Sequence, residues 1–297
     1  MVNKPVDTLT RDGQSSLRGK LRINRLIRCV IQAKKRDWTT ELAVFIPIQE
    51  TFACMAPNWA AAKRREEAPM TRLIKAVAFD AYGTLFDVYS VSVLAEEMFP
   101  GFGAKIASTW REKQIEYTRL RTLCARHADF WQVTGDALDF TCAFHGVELC
   151  AQKRGVLMEQ YAELTAFPEN RAALQQVQDA GVPMAILSNG TPEMLDSALT
   201  SSGLAEYFDH VLSVEEVGRF KTAPEAYKLG PDAFDCAPSE ILFVSSNCWD
   251  VCGATWYGYT TLWLNRFGQP MERLGVSPHH LGTSLNDVAE VIAAGQS

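Results

Sequence analysis

Five short apolar runs, at residues 73–79 (interrupted by Lys75), 183–187, 211–212, 241–244 and 260–264, alternate with segments of helical length such as 192–202 and 224–234. Runs of that length read as buried strands, and strands alternating with helices imply a parallel sheet. The interval between the first two runs breaks the alternation. From about residue 88 to 166 there is no strand signal, while residues 106–124, 137–145 and 153–164 carry the apolar spacing of amphipathic helices. The sequence therefore predicts an α/β core with a helical subdomain inserted after its first strand. Ligands of open α/β sheets bind outside the carboxyl ends of the strands, so such an insertion would roof the binding crevice.

Charge divides the chain at the same place as pattern. Residues 1–69 hold 13 Lys and Arg against 7 Asp and Glu, a charge of +6, which leaves −12 for the remainder of a chain whose net charge is −6. The well-patterned segment opens at Met70. The expected organisation is a basic, poorly ordered extension over 1–69 and a folded domain over 70–297, with its core at 70–87 and 167–297 and its cap at 88–166. An acidic body argues against nucleic acid as a partner. No run approaches the roughly 20 apolar residues that span a bilayer, and no secretory signal opens the chain, so a cytoplasmic protein without a membrane partner is expected. The eight cysteines include no CxxC pair, the closest being Cys248 and Cys252, and reduced thiols follow. The five histidines form neither HxH nor HExxH, which leaves zinc without support.

The first strand ends at Asp80, followed by Ala81-Tyr82-Gly83-Thr84-Leu85. A carboxylate at a strand end beside a glycine-containing turn faces the crevice, where it can attack carbon or phosphorus to give a covalent intermediate. Three further signatures follow at later strand ends: Leu187-Ser188-Asn189-Gly190, then Lys221 with Tyr227, then Ser245-Ser246-Asn247-Cys248-Trp249-Asp250. In this order, from about Met70 to the end, they resemble the haloacid dehalogenase superfamily. Within it they resemble the L-2-haloacid dehalogenases, whose first motif reads DxYGTL.

That resemblance implies a Rossmann-like parallel sheet core with an inserted helical cap subdomain. It also implies hydrolysis of short-chain L-2-haloacids, of the chloro- or bromo-acetate or propionate type, to D-2-hydroxy acids and halide. Asp80 would displace the halide and form an ester. Arg111, assisted by Asn189, would receive the halide, and Ser188 with the turn amides from Ala81 onward would hold the substrate carboxylate. Lys221 would neutralise Asp80 with Tyr227 beside it. Asp250 would activate the hydrolytic water, with Thr84, Ser245 and Asn247 as orienting groups. Tyr82, Phe130 and Trp249 would form an apolar wall, and the family resemblance implies a homodimer.

No metal or other cofactor is expected. The phosphatase members carry a second Asp two positions after the first, where this chain has Tyr82, and the last signature lacks their GD opening. A Mg²⁺-dependent phosphohydrolase is the alternative enzyme. A non-catalytic binding protein on the same scaffold is the other, and it predicts loss of Asp80, Lys221 or Asp250, all of which are present. One departure concerns Lys221-Thr222-Ala223-Pro224, where the family usually reads K-P-x-P. The missing proline frees φ at Thr222 and predicts a looser loop under Lys221. Gly230, in the following helix, costs about 1 kcal/mol relative to Ala and points the same way.

Overall fold

The computed structural model describes residues 73–295, so the basic extension expected over 1–69 lies outside the described residues. Six strands form one sheet: β1 (Ala76–Phe79), β2 (Met184–Ser188), β3 (His210–Ser213), β4 (Ile241–Ser245), β5 (Thr260–Leu264) and β6 (His280–Gly282). Their order is β3-β2-β1-β4-β5-β6, and every adjacent pair is parallel. β1, β2, β4 and β5 are buried along their whole length, which is why each appears in the sequence as a predominantly apolar run rather than an alternating one.

The two sides of β1 still differ. Val77 and Phe79 belong to one apolar cluster, while Ala76 and Ala78 belong to another that contains Tyr227, Phe243 and Tyr259. Small side chains on that face leave room for three aromatic rings. The chain leaves β1 toward β2 and β3 on one side and returns to β4 on the other. That reversal opens a crevice between the carboxyl ends of β1 and β4.

Between β1 and β2 lie α1 (Val91–Met98), α2 (Gly103–Leu123), α3 (Phe130–His145) and α4 (Ala151–Ala162), followed by α5 (Asn170–Asp179). Trp110 on α2 is buried, donates its indole N–H to the Thr134 carbonyl on α3 at 2.8 Å, and packs 4.9 Å from the Tyr161 ring on α4. α3 begins seven residues before the sequence reading. Asp129 caps its first turn by accepting from the Gln132 amide at 2.7 Å. The larger apolar cluster runs without interruption from Val77 and Phe79 into Trp110, Phe130 and Leu157, so the insertion and that face of the sheet share one core.

The chain leaves for the insertion and returns from it side by side. The Asp87 amide donates to the Thr165 carbonyl at 2.8 Å, and the Phe167 amide to the Leu85 carbonyl at 3.1 Å. Arg266, after β5, stacks 3.9 Å from the Phe167 ring, pairs with Glu169 and donates to the Thr84 carbonyl at 3.0 Å. The remaining helices are α6 (Pro192–Ser202), α7 (Pro224–Phe234), α8 (Cys248–Tyr257) and α9 (Asp287–Gly295). Gly230 in α7 has a packing reason: a Cβ there would come within 2.2 Å of the Tyr259 hydroxyl, which donates to the Tyr227 carbonyl. The glycine marks close approach, not a loose loop. All six cysteines among the described residues are unbridged, and no helix of the described residues is long and apolar enough to cross a membrane.

Candidate active site

Register decides where the chemistry sits. Phe79 is paired with Val244 on β4 and with Ile186 on β2, so Asp80 follows β1 beside Ser245, with Ser188 close by on the other side. The Asp80 amide donates to the Val244 carbonyl at 2.9 Å. The next residues fold back as a turn in which the Ala81 carbonyl accepts from the amides of Thr84, Leu85 and Phe86. That turn returns the Thr84 hydroxyl to the Asp80 carboxylate.

Only 6% of Asp80 is exposed, yet both of its oxygens are bonded. Oδ2 accepts from Thr84 Oγ1 at 2.9 Å, Asn247 Nδ2 at 2.8 Å and Ser245 Oγ at 3.2 Å. Oδ1 accepts from Lys221 Nζ at 3.0 Å. Each hydroxyl donor is itself fixed by a backbone amide: Ser246 donates to Thr84 Oγ1 at 2.8 Å, and Asn247 to Ser245 Oγ at 3.1 Å.

Lys221 also donates to Asp250 Oδ2 at 2.8 Å, and the Tyr227 hydroxyl donates to Asp250 Oδ1 at 2.6 Å. One ammonium therefore lies between two carboxylates, all nearly sealed from solvent. Burial pushes the Asp250 carboxyl up to about 6 against the pull of Lys221, and the charge on Asp80 adds to the rise. Burial alone would lower the pKa of Lys221, but Asp250 and Asp80 outweigh it and hold the ammonium above its ordinary value. Tyr227 is raised by burial and then by the neighbouring carboxylate, so it stays a hydrogen-bond donor.

The missing proline does not displace Lys221. Its side chain is 1% exposed, its amide donates to Asn189 Oδ1 at 2.9 Å, and the preceding Phe220 amide donates to Thr122 Oγ1 at 3.2 Å. These bonds fix the loop from both sides, in place of the restriction on φ that proline supplies.

Above the carboxylates, α2 lowers Arg111 into the crevice. Arg111 is 8% exposed and its guanidinium donates only to neutral acceptors: Gln114 Oε1 at 2.8 Å, the Tyr82 carbonyl at 3.0 Å and Asn247 Oδ1 at 3.3 Å. Among the described residues no carboxylate lies within ion-pair distance of it. A buried cation without a counterion is a receptor for an anion. Gln114 is held in turn by Tyr161, whose hydroxyl donates to Oε1 at 2.9 Å, and by Thr134 Oγ1, which accepts from Nε2 at 2.7 Å.

Asp80 and Arg111 share a chamber of about 10 Å³, with Tyr82, Phe130, Ser188, Asn189 and Trp249 in its wall, together with Ile115 and Thr118. The Tyr82 ring lies 5.5 Å from Phe130 and 5.8 Å from Tyr161, so the wall is aromatic where the sequence placed it. Gly190 makes room for that ring, since a Cβ there would come within 2.8 Å of Tyr82 Cε2. Ser188 is not a helix cap. It is buried at the end of β2, where its Oγ accepts from the Gly190 amide at 3.1 Å, and Thr191 caps α6 instead.

The structure thus brings together all the residues read from the sequence, and adds some that were missed. Gln114 follows Arg111 by one helical turn, a spacing that could have drawn attention to it. Thr134 and Tyr161 lie on other helices and carry no local signal.

A family model for haloacid dehalogenase-like hydrolases matches residues 74–258. The chain is 45% identical over 226 residues to the (S)-2-haloacid dehalogenase of Pseudomonas sp. strain YL, covering 75% of this chain and 97% of that protein. A crystal structure of an L-2-haloacid dehalogenase matches with a TM-score of 0.73 at 50% identity, covering 74% of this chain and 99% of the other. The L-2-haloacid dehalogenase from Xanthobacter autotrophicus with chloropropionic acid covalently bound matches with a TM-score of 0.71 at 36% identity, over 74% and 98% of the two chains.

Proposed function

The chain belongs to the haloacid dehalogenase-like hydrolases, and from that premise we propose that it hydrolyses short-chain L-2-haloacids to D-2-hydroxy acids and halide through an ester on Asp80. The observation that carries the reading is a buried carboxylate, Asp80, sharing one small chamber with Arg111, a buried cation whose protein acceptors are all neutral.

In the first step an Asp80 oxygen bonds to C2 of the substrate as the carbon–halogen bond breaks, and the halide leaves with the electron pair. Attack opposite the leaving group inverts the carbon. Oδ2 already has three donors and Oδ1 only one, so Oδ1 keeps the more available lone pair and is the assigned nucleophile. Arg111 and Asn189 stabilise the departing halide. The substrate carboxylate is assigned to Ser188 and the amides that follow Asp80, including that of Ala81. Tyr82, Phe130 and Trp249 surround its alkyl group.

In the second step water attacks the aspartyl carbonyl carbon. Charge then develops on Oδ2, where Thr84, Ser245 and Asn247 already point their donors, so the bonds that orient Asp80 also form its oxyanion hole. Asp250, a buried carboxylate pushed up to about 6 while Asp80 is charged, is ionised at neutral pH and can take the proton of that water. Breakdown of the tetrahedral intermediate releases the 2-hydroxy acid and regenerates the carboxylate. Lys221 carries its positive charge into the space between Asp80 and Asp250, which supports chemistry in which an ammonium rather than a divalent ion offsets the carboxylates.

The reading extends to organisation. Residues 88–166 serve as a cap over the core segments 70–87 and 167–297. The chain acts in the cytoplasm as a homodimer with neither nucleic acid nor membrane as partner; exposed Leu120, Leu123, Phe140 and Phe144 on α2 and α3 support an apolar contact between copies. Sedimentation of the purified protein tests the dimer. For the reaction, the test is halide release from L- and D-2-chloropropionate with and without a chelator. Release from the L form alone, insensitive to chelator and absent in Asp80→Asn, is expected. A strict Mg²⁺ requirement would favour the phosphohydrolase alternative, and no release from either enantiomer would reject dehalogenation.

A further inference from the structure

Beside the chamber lies a second, open cleft of about 940 Å³, and Arg111, Ile115 and Trp249 line both. These three side chains are therefore the partition between solvent and Asp80. The chamber itself, at about 10 Å³, has room for about one water, so holding a haloacid requires its wall to shift.

The partition is organised by one face of α2. Arg111, Ile115 and Arg119 follow at intervals of four residues, which places them in a single row, and the outer cation is about 12 Å along the axis from the inner one. Arg119 lies outside the chamber and is exposed, with its guanidinium 5.0 Å from the Trp249 ring. It lines neither space itself and abuts the open cleft through Trp249, which does. Partial burial lowers its pKa, Glu272 of the cleft raises it, and Arg111 lowers it again.

Such a cation answers an electrostatic need. The substrate is an anion, whereas residues 70–297 carry −12, so approach from most directions is repulsive. We propose that the 940 Å³ cleft is the route by which the 2-halo acid reaches Asp80, and that Arg119, seated on Trp249, is the cation that admits it and passes it to Arg111. The inference rests on the dehalogenase reading and adds a residue to it. The sequence around Arg119 offered no hint, because a third cation on a charged helix reads as an ordinary solvated side chain.

The test compares wild type, Arg119→Gln and Arg119→Lys by steady-state kinetics with L-2-chloropropionate at low and high ionic strength. Titration calorimetry of the same compound is run in parallel on Asp80→Asn proteins carrying each residue at 119. At about 10 mM salt, Arg119→Gln should raise KM and the calorimetric Kd about five-fold while kcat changes less than about two-fold; at about 500 mM the difference should vanish. Arg119→Lys, which keeps the charge, should retain most of the affinity. Unchanged KM, Kd and salt dependence in Arg119→Gln would overturn the proposal. So would a fall in kcat with the salt dependence intact, because Arg119 would then be a prop for Trp249. Charge-dependent binding without halide release from wild type would sink dehalogenation and leave the admission route standing.

Discussion

The floor and the roof of the site are built on opposite principles. On the floor, Asp80, Lys221 and Asp250 project from loops at the carboxyl ends of strands of one parallel sheet or from the helix start that follows them, and every charge has an opposite charge beside it. On the roof, Arg111 projects from a helix of the insertion and meets only neutral acceptors. Sheet register fixes the floor, so Asp80, Lys221 and Asp250 keep their spacing. The roof leaves a positive charge unsatisfied, and the ligand completes it. Bond-making is assigned to the part whose charges are paired, and anion capture to the part whose charge meets only neutral groups.

The sharpest way to break this contrast is to remove one member from each layer. Asp80→Asn should lower halide release by about 10⁴-fold or more, because the nucleophile itself is gone. Lys221→Met leaves two buried carboxylates facing each other and should destabilise the fold by about 3–5 kcal/mol, read as a lower urea midpoint. Arg111→Met removes a charge that has no opposite charge to strand. It should cut kcat/KM by about 10²-fold or more yet leave the urea midpoint unchanged or raised. If Lys221→Met and Arg111→Met shifted stability equally, the distinction between a paired floor and an unpaired roof would be lost.

The Gln114 contact allows a finer test of the roof. Gln114→Leu removes an acceptor 2.8 Å from Arg111 and should lower kcat/KM about ten-fold through misorientation. Gln114→Glu has nearly the same shape but places a carboxylate there, which would fill the anion-receiving role of Arg111 from within. It should be the worse enzyme of the two, with weaker inhibition by added chloride. A Glu variant more active than the Leu variant would mean that Arg111 needs only a partner, not an unoccupied charge.

On the floor, the pKa of Asp250 makes a prediction of the same kind. A base whose pKa is raised to about 6 while Asp80 is ionised loses part of that rise once Asp80 is an uncharged ester, so kcat should fall on the acid side with a midpoint below that value. Lys221, raised from its ordinary value, stays charged across the neutral range and contributes no limb there. Asp250→Asn should accumulate the Asp80 adduct, visible by mass spectrometry after rapid quench. A normal acid limb in that variant would place the base elsewhere.

Much of the floor was legible in the sequence because its residues lie in short contiguous signatures. Asp80 with Thr84, and Ser245, Asn247 and Asp250 together, each fall within six residues, and the strands that carry them are unbroken apolar runs. The roof was less legible. Arg111 was found through resemblance, while its supports Gln114, Thr134 and Tyr161 come from three helices and meet only after packing. Local pattern also failed at β6, whose three residues His280–Gly282 are a strand because β5 offers an open edge, and at α1, which is too short to show a period. The early start of α3 was marked by Asp129, but Thr134 and Gly135 within it obscured the apolar spacing.

The smallest expected effect falls where floor and roof meet, at Tyr82. Its hydroxyl is buried without a hydrogen-bond partner among the described residues, and burial holds it well above the ordinary tyrosine pKa, so it remains a neutral phenol. If Tyr82 serves only as a wall, Tyr82→Phe removes a polar atom that gains nothing in the folded state. Stability should then stay level or rise by up to about 1 kcal/mol in urea unfolding, and kcat/KM should change less than about two-fold. A fall of ten-fold or more in kcat/KM, with stability unchanged, would mean that the phenol donates to the bound anion. In that case the unsatisfied polar groups of the site would extend from Arg111 on the roof to the loop that carries the nucleophile, and the separation of capture from chemistry would fail at this residue.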